Sequence, residues 1–284
     1  MQKSSKKISV IMRSAGAIVS VAMLLLCNGL VIAAEIGASW RGPDYLIIGV
    51  QKSGTTALYN YIVEHPKIIK AKLKEVNFFN RDIDFKRGIG WYKEQLNYSK
   101  ELDELVYGEA SPEYTRPLRP VISTRIYFLF PHTKLIVLLR DPVERAWSHY
   151  KMKWRWGNVG RTGGTQQSFE YELINRPDLL GRGLYADLFK RWFAYFPRNQ
   201  FLIIKSEDLR ANPDKIVNQV FSFLGLEEYH LDSYELYNVG SNVRDGIEHH
   251  YPEFKEETRL RLVDYFKPRN KELEELLGMQ FNWD

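Results

Sequence analysis

Three short stretches of the chain are nearly continuous in apolar residues: Tyr45–Val50, Lys134–Leu139 and Gln200–Ile204. Their length and β-branched content predict strands buried on both faces. The segments between them change period. Thr55–Glu64 places Leu58, Tyr61 and Ile62 on one helical face and stops at His65-Pro66. A second helix is predicted from Pro142, a first-turn proline, to about Trp156. Further helical spacing covers Leu184–Phe196, then Pro213–Leu224 behind the capping pair Asn212-Pro213. It returns in two pieces, Glu253–Phe266 and Lys271–Leu277. Residues 67–116 are mixed, with short strand-like pieces and aromatic-rich turns, and residues 157–167 form a polar, glycine-rich loop. Strands alternating with helices predict right-handed βαβ crossovers and an α/β fold: a P-loop-like three-layer arrangement, its central parallel sheet flanked by helices. No internal repeat or long linker divides residues 35–284, which are read as one domain.

The amino-terminal pattern is different. Residues 1–13 hold Lys3, Lys6, Lys7 and Arg13 and no acid, and residues 14–34 are 21 positions without a charge. That run is about long enough for a bilayer core of ~30 Å. The basic flank before it predicts the tail inside and the domain outside. The run fits a signal anchor; the small residues Ala33 and Ala34 also fit a cleaved signal peptide. Both readings stand.

Charge then changes meaning. The chain of 284 residues has 40 bases and 35 acids. Four bases belong to the tail, so the domain is nearly neutral, which argues against a nucleic-acid partner. The single cysteine, Cys27, lies in the apolar run and excludes an internal disulfide or a cysteine-based zinc site. No ligand cluster for any metal is visible.

The chemistry concentrates after the first strand. Gly49-Val-Gln-Lys52-Ser53-Gly54-Thr55-Thr56 joins a strand to a helix with the glycine spacing of a phosphate cradle, in which loop N–H groups and the helix N-terminus face an anion. The Lys-Ser/Thr pair expected at the helix start is replaced by Thr55-Thr56, and the lysine, Lys52, is inside the loop. After the second strand, Arg140 and Ser148 are eight residues apart, on one helical side, able to clamp a phosphate.

This permuted loop resembles that of the sulfotransferases that use 3′-phosphoadenosine 5′-phosphosulfate (PAPS). Residues 49–58 (GVQKSGTTAL) resemble the family's 5′-phosphosulfate loop, and residues 135–150 (LIVLLRDPVERAWSHY) its 3′-phosphate motif. Residues 74–80 (KEVNFFN), 88–96 (GIGWYKEQL) and 183–226 are similar to the heparan-sulfate N- and 3-O-sulfotransferase branch. The resemblance spans about residues 44–226 and continues weakly to 275. It implies PAPS as co-substrate, held by Lys52, Ser53, Gly54, Thr55, Thr56, Arg140 and Ser148, with Arg244 a weak match to the branch's late 3′-phosphate loop. It implies Lys52 and Glu75 as catalytic residues, Glu75 taking the acceptor's proton, and no metal. The implied acceptor is a hydroxyl or amine of a heparan-like glycan, with a small alcohol or natural product as the alternative. Two departures touch the acceptor side: Glu109-Ala110-Ser111 lacks the branch's central lysine, and the loop near Asn242–Gly246 lacks its cysteines. A kinase on the same fold and a non-catalytic nucleotide- or glycan-binding protein are the rival classes. The resemblance implies a luminal domain, in the Golgi of a eukaryote, attached through residues 14–34 or soluble after cleavage. Histidines 65 and 132 stand beside prolines and read as turn residues, and His249-His250 as a surface loop. Oligomeric state is left open.

Overall fold

The structure, a computed structural model, describes residues 40–117, 119–157, 161–162, 165–235, 243–244, 247–248 and 251–283. The tail, the apolar run and Cys27 lie outside the described residues.

Five parallel strands form the central sheet in the order β2-β3-β1-β4-β7. They are β1 (Tyr45–Gly49), β2 (Ile68–Ile69), β3 (Val106–Ala110), β4 (Lys134–Leu139) and β7 (Phe201–Lys205). Two short antiparallel hairpins stand apart from it, β5 (Arg161–Thr162) with β6 (Thr165–Gln166), and β8 (Val243–Arg244) with β9 (Ile247–Glu248). The first hairpin falls in the stretch expected to be loop.

The helices are α1 (Thr55–Ile62), α2 (Asp82–Phe85), α3 (Gly88–Gln95), α4 (Val121–Leu129), α5 (Pro142–Arg155), α6 (Phe169–Asn175), α7 (Asp178–Gly181), α8 (Tyr185–Phe193), α9 (Ser206–Ala211), α10 (Pro213–Leu224) and α11 (Glu256–Leu277). The α/β expectation is met: the pleat sends alternate residues of each strand to opposite helical layers. Leu46 and Ile48 of β1, with Leu135, Val137 and Leu139 of β4, pack against Phe78, Phe79, Tyr92, Phe130, Phe189 and Trp192. Tyr45 and Ile47, with Ile136 and Leu138, pack against Leu58, Ile62, Val217 and Phe221. Strands buried on both faces are continuous apolar runs for this reason.

One expectation is met and sharpened, and two are corrected. The mixed region holds two strands. β3 is hidden because its sequence, Val-Tyr-Gly-Glu-Ala, is no apolar run. Its Gly108 is required, since a Cβ there would come within 2.4 Å of the Tyr45 carbonyl oxygen. The two carboxyl-terminal helices are one, α11, with Pro268 inside it. Pro268 and Asp264, whose carbonyl the proline leaves without a helical donor, are both exposed. Burial of Leu262 and Phe266 before the proline and Leu273 and Leu277 after it holds the helix together. Finally, α2, α3, α4, α6, α7 and α9 have no counterpart among the expected helices. Among the described residues no helix is long and apolar enough to cross a membrane.

Candidate active site

A parallel sheet ends all its strands at one edge, and the site is built there. β1 leads into the loop Val50–Gly54, β3 into Ser111, β4 into Arg140 and β7 into Ser206. The loop is tight. Ser53 N–H donates to the Val50 carbonyl (3.1 Å), and Val50 N–H to the Leu138 carbonyl of β4 (2.9 Å). Lys52 has φ 76° and Gly54 φ 93°, so two of the loop's residues are left-handed. Gly54 is the N-cap of α1 and offers no side-chain cap, which leaves the first amides of that helix for a ligand. Beneath the loop, Gly49 allows close approach: a Cβ there would meet Thr115 Oγ1 at 2.4 Å.

Arg140 reaches the loop, its Nη1 donating to the Lys52 carbonyl at 3.3 Å. Its Nη2 pairs with Glu144 at 3.6 Å, and its own carbonyl accepts from the Tyr185 hydroxyl at 2.8 Å. Asp141 caps α5, its carboxylate accepting from Val143 N–H at 2.8 Å ahead of Pro142. This cap fixes the direction in which α5 leaves the edge. Residues 144, 148, 151 and 155 then share one side of α5, with Ser148 half-buried. Arg140 precedes the helix, so the expected eight-residue helical spacing does not apply to it, and its ion pair with Glu144 is what ties it to that side.

That side carries two cations which sequence reasoning passed over, Lys151 and Arg155. The ammonium of Lys52 is pushed down to about 8, first by burial and then by Arg155, Arg140, Lys151 and Arg145. Burial also lowers Arg140 and Lys151. Like charges have been gathered faster than carboxylates answer them, and a polyanion would relieve the arrangement. The spacing of Lys151 and Arg155, three and seven residues beyond Ser148, was the available signal.

Glu75 is at the same edge on a separate loop. The carbonyl of its neighbour Lys74 accepts from Ala110 N–H at the end of β3 (3.0 Å), beside the end of β1. The Glu75 side chain is 42% exposed and pairs with Lys74 Nζ at 2.9 Å. Ser53 is fully buried, Thr55 nearly so, and Thr56 half-buried. Arg244 belongs to β8, but its side chain lies outside the described residues, as do His249 and His250. His65 is buried beside Phe221 and Tyr229, its Nδ1 accepting from Lys67 N–H at 3.0 Å, a turn residue as expected. Among the described residues no three His, Cys, Asp or Glu side chains are placed to hold a metal ion.

A second carboxylate was passed over as an acid. Glu109 of β3 is fully buried. It accepts from Ser111 Oγ at 2.6 Å and from the Tyr114 hydroxyl. Burial pushes its carboxyl up to about 7 against these donors, the Val76 N–H and the charge of Lys74. Burial first, and then the charge of Glu109, raises the hydroxyls of Tyr92 and Tyr114 near it.

Comparison with known proteins agrees with this geometry. A family model described as "Sulfotransferase domain" matches residues 42–264. The human bifunctional heparan sulfate N-deacetylase/N-sulfotransferase 3 is 32% identical over 266 residues, covering 84% of this chain but only 30% of that protein's length. Mouse heparan sulfate glucosamine 3-O-sulfotransferase 6 is 30% identical over 282 residues, covering 92% of this chain and 79% of its own. Among solved structures, a sulfotransferase from Alicyclobacillus acidocaldarius superposes with a TM-score of 0.67 over 85% of this chain and 98% of its own, at 24% identity. That likeness is one of fold.

The raised Glu109 carboxyl has a consequence for stability. The folded protein keeps a proton there that an unfolded chain, with the ordinary value of 4.5, has released. The stabilisation is complete below about pH 4.5 and is lost as pH rises through about 7, an upper bound of roughly 3 kcal/mol. Glu109→Gln is expected to flatten the fall in unfolding free energy between pH 5 and pH 8, measured by urea denaturation.

Proposed function

The chain belongs to the sulfotransferase family, and on that premise we propose that residues 35–284 form an enzyme domain moving a sulfuryl group from PAPS to a hydroxyl or amine of a heparan-like carbohydrate acceptor. One observation carries this reading beyond family membership: the buried, charge-crowded Lys52 inside the loop between β1 and α1. An ammonium in that position serves a bridging oxygen that gains charge as a bond to it breaks, and the surrounding cations suit a multiply charged donor. The acceptor class is supported by the relatives at about 30% identity, whose names specify heparan sulfate.

In this reading Ser53, Gly54, Thr55 and Thr56 hold the 5′-phosphosulfate with their amides and hydroxyls at the N-terminus of α1. Arg140 and Ser148 take the 3′-phosphate, with Arg244 assigned to it by the family resemblance alone. Glu75 accepts the proton that the acceptor loses as its oxygen or nitrogen bonds to sulfur. Lys52 stabilises the negative charge left on the phosphate oxygen when the sulfur–oxygen bond breaks, and 3′-phosphoadenosine 5′-phosphate (PAP) departs. The chain's own groups supply general base and electrostatic stabilisation.

Lys52→Ala is expected to lower turnover with labelled PAPS and N-desulfated heparan sulfate by about 10²–10³-fold, and Glu75→Ala by about 10²–10⁴-fold. Mass spectrometry of the product reads both, and full activity in either variant would sink its assigned role. A bound phosphate restores Lys52 toward its ordinary value of 10.5. PAP binding at pH 8 is therefore expected to take up protons, and its affinity to fall as pH rises through about 8. Calorimetry in buffers of different ionisation heat measures the uptake, and Lys52→Ala should abolish it.

Residues 14–34 complete the proposal as a membrane segment that puts the domain on the luminal or extracytoplasmic side, the Golgi lumen in a eukaryotic source. A carboxyl-terminal tag should be protected from protease in sealed vesicles and cut once they are opened. A protein that keeps this topology but runs about 34 residues short is the cleaved, soluble form.

A further inference from the structure

The loop that carries Glu75 is held by a chain of hydrogen bonds that starts in the buried interior. Glu109, inside β3, takes the single hydroxyl proton of Ser111 on its Oε2 at 2.6 Å, an oxygen that accepts it whenever it carries no proton of its own. With its proton committed, Ser111 Oγ presents a lone pair outward, and that lone pair accepts from Asn77 N–H at 2.9 Å. Asn77 is left-handed, with φ 58°, a conformation a non-glycine residue adopts when its surroundings hold it there. Its side-chain Nδ2 donates back to the carbonyl of Glu75 at 3.1 Å. The Ala110 N–H on the Lys74 carbonyl, at 3.0 Å, fixes the other side of Glu75. The Glu75 side chain is itself partly exposed and paired with the adjacent Lys74, so it inherits its aim from this backbone.

We propose that Glu109 and Ser111 are positioning residues for Glu75, setting the backbone of residues 74–77 so that the Glu75 carboxylate meets the acceptor. The proposal rests on the reading of Glu75 as base. A misplacement on the order of 1 Å costs about 10²-fold in a proton-transfer geometry, so the interior bond chain has kinetic weight.

A double-mutant cycle tests it, using wild type, Ser111→Ala, Ser111→Thr, Glu75→Gln and Glu75→Gln with Ser111→Ala. Turnover is read with labelled PAPS and N-desulfated heparan sulfate well below the unfolding temperature. Ser111→Ala is expected to lower kcat about tenfold or more with the Kd for PAP unchanged, and Ser111→Thr, which keeps the hydroxyl, to restore it. In the Glu75→Gln background Ser111→Ala should change kcat less than about twofold, because the group being aimed is gone. Wild-type kcat in Ser111→Ala, or an equal loss in both backgrounds, overturns the proposal. Wild-type kcat in Glu75→Gln instead removes Glu75 as base, which is a different failure. Hydrogen exchange supplies a readout that needs no acceptor. Ser111→Ala should speed exchange at the amides of residues 76 and 77 and leave residues 53–56 unchanged, and unchanged exchange at 76 and 77 overturns the proposal. Glu109→Gln, whose amide nitrogen competes for the Ser111 oxygen, should act as a weaker copy of Ser111→Ala. Wild-type kcat and exchange in that variant remove Glu109 from the chain.

Discussion

Five strands running in one direction bring their carboxyl ends to a single edge, and the charged groups of the candidate site hang from that edge. β1, β3, β4 and β7 end there in the Lys52 loop, Ser111, Arg140 and Ser206. The edge lets a cation be held where it is poorly solvated. Lys52 is fixed by its loop, not by its own long side chain, and it is crowded by Arg140 and by Lys151 and Arg155 from α5. An arrangement of this kind is unfavourable without an anion and favourable with one. The interior below it must therefore be rigid. Thr115 packed into the space under Gly49, and the Asp141 cap that sets α5, are parts of that rigidity.

The acceptor side obeys a different rule. Glu75 is solvated, and its placement is transmitted through backbone from groups that are not. Glu109, Ser111 and Asn77 form a path from a fully buried carboxyl group to a surface loop, each step set by which atom can donate. Burying a carboxyl group in this way costs free energy unless its lone pairs are met, and here Ser111, Tyr114 and the Val76 N–H meet them. Glu109, Ala110 and Ser111 are all fully buried, so whatever this motif gives the site passes through its interior contacts.

Much of this was legible in the chain. Near-continuous apolar runs at Tyr45–Val50 and Lys134–Leu139 can be nothing but central parallel strands once helices follow each, and the loop between two such elements has few conformations. Lys52 in the loop after β1, Arg140 just past β4 and Ser148 within α5 fall in the elements read from the chain because strand–loop–helix geometry is local. β3 escaped because Gly108 and Glu109 interrupt its hydrophobic pattern: Gly108 answers to Tyr45, distant in sequence, and Glu109 to a polar environment that only burial of the neighbouring Ser111 and Tyr114 creates. The break expected in α11 at Pro268 failed to appear because the proline sits on the exposed side and the flanking turns are packed into the core.

What the sequence determined by itself was therefore the sheet, its edge and the chemistry of the loop that crosses it, since these depend on period, glycine spacing and residue type over a few positions. Tertiary structure decided which charges surround Lys52 and how Glu75 is held. Both depend on desolvation and on contacts between segments tens of residues apart, and neither quantity exists until the chain has closed on itself.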